Sequence, residues 1–63
     1  MTISPSSLKA LRLRNKLTQS EFGYRIGLDA STISYYESGK HPIPQSVALA
    51  LVGVGLLVRK ASK

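Results

Sequence analysis

Apolar residues recur along this chain in short groups spaced three and four apart, and each group is fenced by residues that start or stop helices. Leu8, Leu11 and Asn15 fall on one face, with Arg12 beside them and Leu13 pointing away. That is helical spacing. Ser4-Pro5 stands ahead of the group, a hydroxyl cap followed by proline at the first helical position. A second start follows at Thr18-Gln19-Ser20-Glu21, where Thr18 caps and Glu21 reaches back to close a capping box. Phe22 and Ile26 then share a face, and Gly27 supplies the left-handed residue that ends the helix. Asp29 caps a third helix, closed by Gly39. Pro42 and Pro44 make a stiff link, with Pro44 suited to the first turn of a fourth helix. No stretch alternates with the period of a strand, so the pattern predicts one compact all-α domain of four to five helices over residues 1–63.

The last apolar run, "VALALVGVGLLV", changes the picture. As a helix over 46–58 it places Val47, Leu51, Val54 and Val58 on an inward stripe. Leu49, Val52 and Leu56 then face outward with nothing in the chain to cover them, and they are the expected dimer interface. Gly53 and Gly55 oppose a continuous helix, and a break into a turn there is the competing expectation.

The second and third helices, joined by a short glycine turn, have the layout of a helix-turn-helix. With Gln19 as its first position, Phe22, Ile26, Leu28, Ile33 and Tyr36 occupy the buried places, and Gly23 is small where the helices must approach. Charge then narrows the partner. Nine Lys and Arg against three acids leave a net charge of +6, with a pI near 10.2, which points to an anionic partner, either nucleic acid or an anionic membrane surface. Yet between Gly27 and Lys40 the only basic residue is Lys40. If the partner is DNA, a helix lying in its groove would account for this: short polar and aromatic groups would meet base edges, while cations elsewhere meet phosphates. Arg14, Lys16, Arg25 and Lys40 are the candidate phosphate contacts, with His41 in the loop after the third helix a further one.

"LTQSEFGYRIGL" and "STISYYESGK" resemble the Cro and cI-repressor type of helix-turn-helix DNA-binding domain of phage and bacterial regulators, and "PIPQSVALAL" resembles the fourth helix of bacterial members. The resemblance spans about residues 7 to 53. It implies the phage-repressor bundle with a central helix-turn-helix, whose third helix enters the major groove. By the same resemblance Gln19 touches the DNA backbone, Ala30, Ser31, Ser34 and Tyr35 face the bases, and Thr32 bonds a phosphate. Arg12 and Glu37 match a buried ion pair tying the first helix to the third. Ala30 departs from the pattern: many members carry a glutamine or arginine there, and alanine offers only a methyl to thymine. Sequence preference then leans on Ser31, Ser34, Tyr35 and DNA shape.

All three acids are thereby given structural roles, which leaves none for acid–base chemistry. With no cysteine, and with His41 lacking ligand spacing, the chain offers no zinc site. No phosphate-binding glycine loop is present, so neither enzyme activity nor a cofactor is expected. The start, "MTISP", lacks a signal-peptide layout, and the apolar run is too short to span a bilayer. The expectation is a cytoplasmic, nucleoid-associated regulator binding double-stranded DNA as a homodimeric repressor on a palindromic operator. Two rivals use the same residues otherwise. One is an antitoxin-like or adaptor module that binds a protein partner. The other is a cationic membrane-active peptide, folding only on anionic lipid.

Overall fold

A computed structural model describes residues 3–57. Four helices follow in order: α1 (Pro5–Arg14), α2 (Gln19–Arg25), α3 (Ala30–Ser38) and α4 (Gln45–Gly53). Among the described residues there is no strand. Three helices begin on side-chain caps. The Ser7 N–H donates to Ser4 Oγ at 3.2 Å, with Pro5 in the first turn. In the capping box, the Glu21 N–H donates to Thr18 Oγ1 at 3.0 Å while the Thr18 N–H donates to Glu21 Oε1 at 2.9 Å. Asp29 Oδ1 accepts from the Thr32 N–H at 3.0 Å. Each cap satisfies amides that a helix start otherwise leaves open. Pro44 precedes α4 rather than entering it, and offers no side-chain cap.

All four helices end by the same device. The residue in the left-handed region donates to a carbonyl three back, and the next donates to a carbonyl five back, the pairing of a Schellman motif. The second bond runs from Leu17 N to Arg12 O (3.2 Å), from Leu28 N to Gly23 O (2.8 Å), from Lys40 N to Tyr35 O (3.0 Å) and from Leu56 N to Leu51 O (2.9 Å). The left-handed residue is Gly27, Gly39 or Gly55 at the last three ends, with φ of 78°, 80° and 81°. At the end of α1 it is Lys16, at φ 58°. Only there does a Cβ carry the strain of that conformation.

The core is Leu8, Leu11, Phe22, Ile33, Val47, Ala48 and Leu51, all buried, with α3 packed against both α1 and α2. Ile26, Leu28, Tyr36 and Ile43 lie half-buried against it. Gly23 is required where α2 meets the turn. A Cβ on it would run into the Leu28 carbonyl oxygen and come within 3.1 Å of Ile33 Cγ1.

Two expectations need correction. α4 stops at Gly53, not at residue 58, because the chain turns through Gly55 in the left-handed region. Helical projection therefore fails beyond Gly53. Val54, assigned to the inward stripe, is 45% exposed, and Leu56, assigned outward, folds back half-buried onto the core. Leu49 remains outward at 44% exposed, Val52 is half-buried, and Val58 lies outside the described residues. Asn15, four residues after Leu11, caps α1 and donates Nδ2 to the Leu11 carbonyl at 2.8 Å.

Candidate nucleic-acid interface

The interface is anchored below its surface by one carboxylate. Glu37, near the end of α3, accepts from Arg12 Nε at 2.7 Å and Arg12 Nη2 at 3.0 Å, a bidentate pair with side chains 11% and 5% exposed for Arg12 and Glu37. Arg12 Nη1 donates onward to the Leu17 carbonyl at 3.0 Å, and Gln19 Nε2 donates to Glu37 Oε1 at 3.2 Å. Three helices thus meet at Glu37. Burial pushes its carboxyl up, but hydrogen bonds from Arg12 and Gln19, with the Arg12 charge, outweigh that and hold it below its ordinary range. The Arg12 guanidinium moves up in return, chiefly through its hydrogen bond to Glu37.

Gln19 was expected on a phosphate, yet in the free protein its amide is engaged with Glu37. The same residue nevertheless lines a shallow depression of about 240 Å³ together with Ala30, Ser31, Ser34 and Tyr35. The start of α2 and the outer face of α3 therefore share one concave surface, and all four expected base-facing residues lie on it. Its floor carries no side-chain charge, only a methyl, hydroxyls, an amide and a phenol. Such a lining suits hydrogen bonding and apolar contact rather than ion pairing.

Thr32 was expected on a phosphate, and in the free protein its hydroxyl donates to Asp29 Oδ1 at 2.5 Å. That bond, then the Thr32 N–H, hold the exposed Asp29 carboxyl below its ordinary value.

Arg14, Lys16, Arg25 and Lys40 are all exposed. Lys40 reaches the rim of that depression, with Nζ 5.5 Å from the centre of the Tyr35 ring. Arg25 does not join it. It lines a separate depression on the other side of α2 with Leu17, Ser20, Glu21 and Tyr24. Tyr24 is 85% exposed there and was not singled out from the sequence, because a lone tyrosine on a polar helix face carries no distinguishing pattern. The pairing of Tyr35 with His41 also went unforeseen: their rings stand edge to face, centres 5.0 Å apart at 85°. Only the turn after α3 brings them together.

No curated protein and no solved structure matches the chain. A family model described as a helix-turn-helix domain matches residues 6–54, which include α2, the Gly27 turn and α3 together with most of α1 and all of α4. With two capped helices crossing at Gly23 and one uncharged concave face beside them, the chain belongs to the helix-turn-helix domain family.

Proposed function

We propose that this chain is a sequence-specific regulator that acts as a small homodimeric repressor, occupying a palindromic operator and so blocking transcription. Family membership supports a DNA-binding regulator. The single observation carrying the finer reading is the depression in which Gln19, Ala30, Ser31, Ser34 and Tyr35 converge on one exposed face of α3. A helix of that lining, on a chain of net charge +6, is suited to enter the major groove while cations outside it meet phosphates. Arg14, Lys16, Arg25 and Lys40 fill the latter role in this reading. Gln19 joins them once DNA competes for its amide.

Leu49 and Val52, with the exposed Val54 nearby, support pairing of two copies. One such module makes few base contacts, and two linked modules multiply affinity and selectivity. The proposed setting is the cytoplasm, on the nucleoid. None of the described helices is long and apolar enough to cross a membrane.

The test is selection of bound duplexes from a randomised pool, followed by titration at several salt concentrations. A palindromic consensus and a steep fall of log Kd-derived affinity with log salt are expected. Lys40→Ala should flatten that slope by about one unit on any duplex. A pool that enriches nothing, with salt-insensitive binding to a protein partner instead, would establish the adaptor or antitoxin-like reading. A chain that gains helix only on anionic vesicles would establish the membrane-active one.

A further inference from the structure

We propose that His41 is a positioning residue for Tyr35, so that the sequence preference of α3 is set partly by the loop that follows it. This rests on the reading of α3 as the base-facing helix.

The Tyr35 carbonyl accepts from the Lys40 N–H at 3.0 Å, the His41 N–H at 3.5 Å and Ser38 Oγ at 3.1 Å. The turn through Gly39 therefore folds back onto the residue whose side chain it also surrounds. Lys40 Nζ stands 5.5 Å from the ring centre, within the range of a cation–π contact. The His41 ring meets the Tyr35 ring edge to face at 5.0 Å and 85°, a favoured aromatic geometry. Pro42 restricts the backbone of His41 to extended conformations, so the imidazole is presented from a stiff support.

A tyrosine on the outer face of a helix, 41% exposed, is otherwise free to move among staggered wells. Each well carries its hydroxyl to a different place in the groove. Holding one well before DNA arrives removes an ordering cost that binding would otherwise bear. A phosphate contact, the plainer role for His41, does not need its ring against Tyr35. The edge-to-face contact is what a positioning role requires.

The test compares His41→Ala and His41→Phe with the parent chain, on the duplex best enriched from a randomised pool and on a random-sequence duplex of equal length. His41→Ala should lower the ratio of the two affinities by about threefold to tenfold, the reach of one freed rotamer and one aromatic pair. His41→Phe keeps a ring at the same place and should restore the ratio. Equal loss on both duplexes makes His41 a phosphate contact and overturns the proposal, as does an unchanged ratio. A loss that phenylalanine fails to restore assigns a polar contact and overturns it too. Hα–Hβ couplings of Tyr35, measured by NMR without DNA, provide a second measurement. They should report one rotamer in the parent and averaging in His41→Ala. Unchanged couplings overturn the positioning role whatever the DNA results. If the parent enriches no sequence, the base-reading assignment falls, and the couplings alone decide whether His41 positions Tyr35.

Discussion

Arg12 and Glu37 are joined by two hydrogen bonds, of 2.7 and 3.0 Å, across 25 residues of chain, and both side chains are almost wholly out of water. A buried pair resists loss of one partner more than it adds stability as a whole, because the survivor keeps its charge without compensation. Glu37→Gln should therefore destabilise the domain by about 3–5 kcal/mol, enough to unfold a chain this small. Lys9→Gln is the comparison. Lys9 is exposed on α1 and acts on Glu37 only through its charge, so its loss should cost little. Thermal melts of the two variants should differ sharply, and equal melts would show that the pair contributes nothing.

The same carboxylate sets an acid limit. Glu37 binds its proton less readily in the folded chain than its ordinary value of 4.5 implies, and Asp29 less readily than 3.8. The unfolded chain therefore takes up protons first as pH falls. Stability from these groups is complete above the ordinary carboxylate range and is lost as pH drops through the depressed native values. The melting temperature should be level above about pH 5 and fall below about pH 4. The deficit of Glu37→Gln relative to the parent should narrow over the same interval, since acid removes the charge that the substitution has already removed. A constant deficit down to pH 3 would show that Glu37 titrates normally.

What could be read from the sequence follows the range of each interaction. Caps at Ser4, Thr18 and Asp29 and the glycines at 27 and 39 are decided within a few residues, and the structure has them where the sequence placed them. Gly23 was legible because close helix approach demands the smallest residue. Leu56 was not: the glycines at 53 and 55 pointed to a break in α4, but the return of Leu56 and Leu57 onto the core is visible only in the fold. Nothing in a lysine announces a positive φ, so the ending at Lys16 was hidden too. The commitments of Gln19 to Glu37 and of Thr32 to Asp29 were equally silent. Each residue keeps the polar group its expected role calls for, and only the fold shows where that group is already engaged.

Tyr35 and Ser31 face the depression from exposed positions, so their loss should cost recognition and not folding. Ser31→Ala and Tyr35→Ala should each lower preference for the selected duplex over a random one by about 1–3 kcal/mol. Melting temperatures should stay close to that of the parent. Unfolding of Tyr35→Ala would instead assign that ring to the core.

The corrected course of the chain after Gly53 reassigns the test of assembly. Leu56 lies on the core and its N–H closes α4, so Leu56→Asp should unfold the chain, as should Leu51→Asp. Leu49, 44% exposed, is the residue left to probe a second copy. Leu49→Asp should give a folded monomer by ultracentrifugation that retains half-site binding and loses the gain from pairing two modules. If Leu49→Asp sediments as a dimer, the contact lies elsewhere, and Leu13, 54% exposed on α1, becomes the next position to change.

Lys16 allows stability and binding to be tested at one position, with opposite signs expected. It stands at φ 58° where the other three helices use glycine, and a Cβ in that region costs about 1–2 kcal/mol. Glycine removes that cost but loses about 0.5–1 kcal/mol to the freedom of the unfolded chain. Lys16→Gly should therefore be more stable by up to about 1.5 kcal/mol, raising the melting temperature by a few degrees. If Lys16 is also a phosphate contact, the more stable variant should bind every duplex more weakly, with a salt slope flatter by about one unit. Lys16→Ala separates the two effects. It loses the charge but keeps the strained Cβ, so it should match the glycine variant on DNA without sharing its gain in stability. A glycine variant less stable than the parent would show that the left-handed turn costs the lysine nothing. Full DNA affinity in both variants would remove Lys16 from the phosphate contacts.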